Sequence, residues 1–331
     1  MKWSVAGLTL LFMTCDNGSA AVPSPSALTC RLPAISAIDL ARGDNPAGGG
    51  FVQMPGGQFT PDPRAASAGL GRPVYDPAIH DWLPQPKGSI WQQYPSDLQQ
   101  APDGWSYVYE SEKEGPPNPD GPAPPPASVA IHVVDIRTGS DRVVYEFSGP
   151  PYYNAIDYTP PMIALTPACF ECGAGGSNIW SLDERRGSLA KVTDLQSYWS
   201  VRHGSAWGGV TTTTSSMDRL VQVSLSTGTV TTWLTEPGTE LRLLAISSDG
   251  GPLVTVQRSD SVEVWHMTQP EKGAQVFTVA SGGLSGAVTD TYGTWIGGAQ
   301  AGDDAGIYLY TVKGGLQKVS SFAGVPLGRC V

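Results

Sequence analysis

Few side chains in this 331-residue chain suit proton transfer, nucleophilic attack or metal binding near neutral pH: four histidines and five cysteines. Cys169-Phe-Glu-Cys172 has the spacing of half a structural zinc site. No matching Cys or His pair stands at a recognisable distance along the chain, and a thioredoxin-type role needs a strand-to-helix context that is missing. The pair therefore reads as a small disulfide pinning a loop between two strands. His132 and His266 fall inside alternating segments, where packing between strands is the expected role, and His80 falls at a turn. His203 differs, because Tyr198-Trp-Ser-Val-Arg-His203 reads as a short strand ending in a titratable group. There is no Gly-x-Ser-x-Gly elbow, phosphate-binding glycine loop, dinucleotide fingerprint or EF-hand sequence. Asp303-Asp304 is explained by a polar hairpin loop. No metal and no cofactor are expected.

The elements that must position these groups are short. Gly 40 and Pro 29 together make a fifth of the chain, against roughly 12% in average proteins. That much backbone punctuation excludes coiled coils and helical solenoids, while 40% hydrophobic residues suffice to bury a core and exclude wholesale disorder. An all-β chain with many turns remains. Its formal charge of −10, with no local cluster of Lys and Arg, would repel a phosphate backbone, so nucleic acid is not expected as a partner.

Five segments share one pattern of alternating strand, glycine turn and second strand: 131–145, 178–192, 219–233, 262–277 and 306–319. Their turn glycines at 139, 187, 228, 273 and 314 are separated by 48, 41, 45 and 41 residues, the period of propeller blades. A sixth hairpin is expected at Pro73–Asp76 and His80–Leu83, turning through Pro77-Ala78, with Gly50–Met54 and Gly57–Thr60 as the earlier strands of that first blade. The interval from Ala78 to Gly139 is long, and the proline-rich run 115–127 reads as a loop inserted within it. Further strand pairs lie between the hairpins, for example Glu240–Ile246 before Leu253–Gln257. Four short strands per unit and six units predict a single six-bladed β-propeller over residues 30–331, with seven blades as the alternative. A two-sheet sandwich would give no reason for this repeat.

Ala101-Pro-Asp-Gly-Trp-Ser-Tyr-Val-Tyr109 resembles the Ser-Pro-Asp-Gly turn and following strand of the TolB-type, WD40-like repeat, and Ser247-Ser-Asp-Gly250 resembles a degenerate second copy. Val74–Trp82 is similar to a kelch hairpin without its paired glycines. The resemblance covers about residues 50–320 and implies a fold; it does not carry an activity with it.

Propeller ligand sites usually gather at one mouth of the central channel, on loops entering the innermost strands. The matching positions here are Tyr153 and Asp157, Trp199 and His203, Glu240 and Arg242, and Asp290. Aromatic, acidic and basic groups converging there would suit a small-molecule or glycan pocket; the plainer alternative is a polar channel rim.

The N-terminus supplies an address. Met1-Lys2 is followed by an apolar stretch from Trp3 to Thr14, too short for a bilayer of about twenty residues but of signal-peptide proportions. Leu11-Phe-Met-Thr-Cys15 resembles a bacterial lipoprotein signal, which implies a lipid anchor on Cys15; cleavage at Ser19-Ala-Ala21 is the alternative. Residues 1–15 are then a signal peptide, and 16–29 a flexible tether. Setting Cys15 aside leaves Cys30, Cys169, Cys172 and Cys330, enough for two disulfides, and a Cys30–Cys330 bridge would join the two ends of the domain. These features together predict an exported binding or scaffold module at the cell envelope. Its partners would be an envelope protein or a small-molecule or glycan ligand, and any membrane contact would come through an N-terminal lipid. The alternative is a propeller lyase or hydrolase acting on a glycan or lactone at the channel mouth.

Overall fold

The computed structural model describes residues 28–37, 49–67, 75–77, 80–82, 99–101, 105–115, 126–135, 137–168, 176–202, 204–211, 216–280, 283–298 and 302–331. Six four-stranded antiparallel sheets form a six-bladed β-propeller. Blade 1 contains β1 (Arg31–Ser36), β2 (Gly50–Gln53) and β3 (Gln58–Pro61). A five-residue helix α1 (Pro63–Ser67) and a two-stranded hairpin, β4 (Tyr75–Asp76) and β5 (Asp81–Trp82), follow it. Blade 2 is β6 (Gln99–Gln100), β7 (Ser106–Lys113), β8 (Ser128–Asp135) and β9 (Ser140–Phe147). Blade 3 is β10 (Tyr152–Thr159), β11 (Met162–Ala168), β12 (Trp180–Asp183) and β13 (Ser188–Lys191). Blade 4 is β14 (Ser200–Arg202), β15 (Ser205–Val210), β16 (Arg219–Ser224) and β17 (Val230–Thr235). Blade 5 is β18 (Glu240–Ile246), β19 (Pro252–Gln257), β20 (Ser261–Gln269) and β21 (Lys272–Ala280). Blade 6 is β22 (Gly286–Thr289), β23 (Thr294–Gly297), β24 (Ile307–Thr311) and β25 (Gly315–Ser320).

The last strand, β26 (Gly324–Pro326), closes the ring by pairing with β1 as the innermost strand of blade 1, Ala34 opposite Pro326 and Ser36 opposite Gly324. Backbone bonds extend this seam: Leu327 N–H donates to Pro33 O at 2.8 Å, and Arg31 and Val331 exchange bonds of 2.7 and 2.9 Å. Cys30 and Cys330 form a disulfide beside it, spanning 300 positions of sequence.

Apolar residues at every second position line one face of a strand and pack against the neighbouring blade, so adjacent blades share a core. Ile131, Val133 and Phe147 of blade 2 pack with Ile163, Leu165 and Leu182 of blade 3. Leu220 of blade 4 packs with Leu241 and Val256 of blade 5. Trp295 of blade 6, fully buried, meets Leu32 and Val52 of blade 1. Blades 4 and 5 approach closely at Gly209, where an added Cβ would lie 2.4 Å from the Leu241 carbonyl oxygen.

The hairpin turns repeat one chemistry. Asp135 and Asp183 each use Oδ1 to hold two following N–H groups, and each carbonyl accepts from a glycine four residues on, Gly139 or Gly187. These glycines sit at φ 67° and 61°, a region a side chain disfavours.

Two details differ from the sequence expectation. In blade 5 the positive-φ residue is Glu271, with Gly273 already inside β21, and in blade 6 it is Gly315 in place of Gly314. The larger correction concerns blade 1. The segments at 50–53 and 58–61 are its two outer strands, with the turn at Gly57, and the hairpin at 75–82 belongs to no blade. Its role is set by aromatic packing: Tyr75 and Trp82 close on Phe51 at 5.0 and 5.6 Å between ring centroids and cover the face that Ile35 and Val325 share. Trp82 Nε1 donates to Asp62 at 3.1 Å, which ties the hairpin to the end of β3.

Candidate functional site

The innermost strand of each blade lines the axis, so the channel has two mouths. At one, the chain enters these strands from the preceding blade; at the other it leaves them through the turn to the second strand. A cavity of about 840 Å³ lies at the exit mouth between blades 4, 5 and 6. Arg202 reaches it from the end of β14, Ile246, Ser247 and Ser248 from the end of β18, and Thr289, Asp290 and Thr291 from the end of β22. Arg329, from the segment after β26, completes the rim. The closure of the ring therefore also sets part of the cavity wall.

Most polar groups of the wall are fixed by neighbours. Asp290 is a strut: Trp295 Nε1 donates to its Oδ2 at 2.7 Å, the Cys330 N–H donates to the same oxygen at 2.9 Å, and the Tyr292 N–H donates to Oδ1 at 2.8 Å. Both oxygens are thus spent on the turn and on the C-terminal segment that carries Arg329. Thr289 donates to the Ile246 carbonyl at 2.7 Å, linking blade 6 to blade 5. Gln222 donates to Ser205 at 3.0 Å and accepts from Trp233 Nε1 at 2.9 Å. The buried Trp207 indole also lines the cavity, and its N–H has no acceptor among the described residues.

Beneath the wall, Ser247, Asp249 and His266 form a cluster. Ser247 Oγ donates to Asp249 Oδ1, and both atoms lie 3.2 Å from the same ring nitrogen, Nε2 of His266. Burial acts to raise the Asp249 carboxyl, but the Ser247 hydroxyl, the Gly251 N–H and His266 outweigh it and hold the group below the ordinary carboxylate range. Because serine and carboxylate share one nitrogen, this imidazole cannot pass a proton from one side to the other. It braces the turn.

What faces the cavity with capacity to spare is cationic and hydroxylic. Arg202 is exposed and uses one guanidinium nitrogen on the Val201 carbonyl, at 2.7 Å. Exposed Ser248 and Thr291 stand on the two neighbouring turns. A guanidinium fork beside hydroxyls suits a carboxylate or phosphate carried on a polyhydroxylated body.

Among the described residues, those expected at the channel mouth line no common cavity. Tyr153 is buried between Phe147 and Trp180, at 4.9 and 5.3 Å between ring centroids. Trp199 is buried, donating through Nε1 to the Ser177 carbonyl at 2.6 Å. Asp157 follows a bulge in β10 and accepts from Thr159 at 3.3 Å. Glu240 and Arg242 form an ion pair 2.5 Å apart at the entry mouth, beside a cavity of about 420 Å³, with Arg242 6.0 Å from the exposed Tyr198 ring. Asp290 belongs to the opposite mouth. His203, Cys15, Cys169 and Cys172 lie outside the described residues, as does most of the run 115–127. Among the described residues no three His, Cys, Asp or Glu side chains are grouped to hold a metal ion.

Arg202, Trp207 and Arg329 escaped sequence reasoning. The one available signal was the Ser247–Gly250 turn, which marks the exit end of an innermost strand, whereas the expectation placed ligands at the entry end.

No protein-family model and no curated protein matches the chain. Among solved structures, TolB from Acinetobacter baumannii is similar over 93% of this chain and 68% of its own length, at 12% identity and TM-score 0.50. Acylaminoacyl peptidase from Pyrococcus horikoshii is similar over 82% of this chain, at 12% identity and TM-score 0.55, and a prolyl endopeptidase over 66%, at 14% identity and TM-score 0.48. This chain spans only 47% and 34% of those two peptidases. The fold is that of a TolB-like β-propeller.

Proposed function

We propose that this propeller is an exported binding module of the cell envelope, and that its exit-mouth cavity receives a small acidic glycan or a comparable polyhydroxylated carboxylate. The observation that carries the reading is the placing of Arg202 and Arg329 around a cavity of about 840 Å³ in a chain of net charge −10. Two guanidinium groups against the single carboxylate of Asp290 in the cavity wall favour an anionic ligand there, while the net negative charge of the chain repels it elsewhere. The clasp of Cys30 to Cys330 supports export, since such a bond persists in oxidising compartments. So does the signal-like N-terminus, with Cys15 as lipid anchor or Ser19–Ala21 as cleavage site. Structural likeness to TolB supports the fold on which this reading rests.

Calorimetric titration with an oligouronate tests it. Binding should be saturable and weaken with salt, and Arg202→Glu should lower affinity at least about tenfold, the loss of one charge-assisted bond. The oligosaccharide should be recovered unaltered after prolonged incubation; shortened products would favour a lyase or hydrolase. Equal affinity in Arg202→Glu would show that the ligand binds outside this cavity.

A further inference from the structure

Blade 2 carries a second serine–histidine–aspartate group, and its connectivity differs from that in blade 5. Ser111 Oγ lies 2.8 Å from His132 Nε2, and His132 Nδ1 lies 2.9 Å from Asp141 Oδ1. The serine and the carboxylate thus engage opposite nitrogens of one ring. A carboxylate on Nδ1 fixes the tautomer that leaves Nε2 as the acceptor, which is the arrangement of a base-activated nucleophile.

Three adjacent strands build it. His132 on β8 stands opposite Tyr109 on β7; Ser111 is two residues further along β7, and Asp141 on β9 pairs with Val134, two residues along β8. Period-two alternation therefore places all three on one face, the one turned away from the Val108, Ile131 and Val133 core shared with blade 3. Other groups hold the ring still. Tyr109 stacks on it at 4.5 Å with planes 21° apart, and its hydroxyl donates to Asp141 Oδ2 at 2.7 Å. The imidazole keeps 15% of its side-chain surface exposed and Asp141 44%, and Ser111 is partly open.

We propose that Ser111 is a nucleophile, with His132 as its general base and Asp141 as the positioning residue, reactive toward activated acyl or phosphonyl donors. Ser111 lies mid-strand, where neighbouring backbone N–H groups are spent on the sheet ladder. The substrate class is therefore one whose leaving group departs with little help. With an activated ester, the Ser111 Oγ–carbon bond forms as the hydroxyl proton passes to His132 Nε2. The carbon–leaving-group oxygen bond then breaks, and the leaving group takes up that proton. Water reverses the sequence by the same base and frees the acid. With a fluorophosphonate, the oxygen–phosphorus bond forms, fluoride leaves and the adduct persists.

The test is labelling of the purified full chain with a fluorophosphonate, the adduct being located by peptide mass spectrometry. One modified serine is expected, Ser111, with no signal there in Ser111→Ala. His132→Gln should slow labelling by at least about a hundredfold, the usual contribution of a general base, and Asp141→Asn should slow it as well. Wild-type protein unfolded in urea should lose the reactivity, a comparison that does not depend on any variant folding. No adduct at Ser111 in the folded wild type, equal labelling in urea, or undiminished labelling in folded His132→Gln would each overturn the proposal.

Discussion

Removing the bridge between Cys30 and Cys330 should lower stability without opening the ring. The bond closes a loop of 300 residues, for which the chain-entropy relation gives about 6 kcal/mol of destabilisation on its loss. Spread over an unfolding entropy of roughly 0.6 kcal/mol/K for about 300 residues, that corresponds to a fall of about 10 °C in the thermal midpoint. The seam itself remains: β26 keeps its register on β1, the Arg31–Val331 bonds flank the site, and the Cys330 N–H bond to Asp290 is a backbone bond that serine preserves. The perturbation is the double variant Cys30→Ser/Cys330→Ser, compared with wild type by circular dichroism during heating. A reductant would not isolate the bond, because Cys169 and Cys172 are also present. Far-ultraviolet spectra at 20 °C should coincide, with the midpoint lower by several degrees. A midpoint unchanged within 1 °C would refute the reasoning that the bridge restrains the unfolded chain, and a variant without β structure at 20 °C would refute the claim that hydrogen bonds alone hold the seam.

Other consequences concern single side chains. Asp290→Ala should cost about 1–3 kcal/mol, since Trp295 Nε1 and the Cys330 N–H lose their acceptor; hydrogen exchange should show faster exchange in the last five residues, and unchanged exchange would contradict the strut. Burial pushes the Glu110 carboxyl up to about 7, against which the Ala155 N–H acts to lower it. Below its ordinary value of 4.5 the group is protonated folded or unfolded, and between 4.5 and 7 the folded state binds the extra proton. Stability should therefore fall as pH rises through that window, by about 3 kcal/mol in all. Chemical denaturation of Glu110→Gln, whose amide oxygen can still accept from Ala155, should show that slope flattened and greater stability at pH 8. Gly209→Ala should destabilise by about 1–3 kcal/mol, because its Cβ would meet the Leu241 oxygen at 2.4 Å and Met217 Cβ at 2.9 Å.

The propeller was legible because its signal is local. An Asp135–Gly139 or Asp183–Gly187 turn needs only five consecutive residues, and the blade period follows from repeating them. Blade 1 misled because Tyr75 and Trp82 give their hairpin the alternation of blade strands, while the real turn at Gly57 is followed by the short, exposed β3. Chain position alone could not assemble the site. Asp290 resembles a free acid until Trp295 and Cys330 are seen to occupy it, and Tyr153 resembles a rim aromatic until the blade stacking buries it. Arg202 and Arg329 stand 127 positions apart in sequence and come to line one cavity through ring closure. Ser111, His132 and Asp141 come from three strands, and only their register brings opposite ring nitrogens to serine and aspartate.

Locating a bound oligouronate in crystals of this protein decides whether the exit mouth is the ligand site. The expected result is density for a carboxylate at the Arg202 guanidinium, with sugar hydroxyls toward Ser248 and Thr291 on the turns of blades 5 and 6. Density at the entry mouth beside Glu240 and Arg242, with the exit mouth empty, would contradict it.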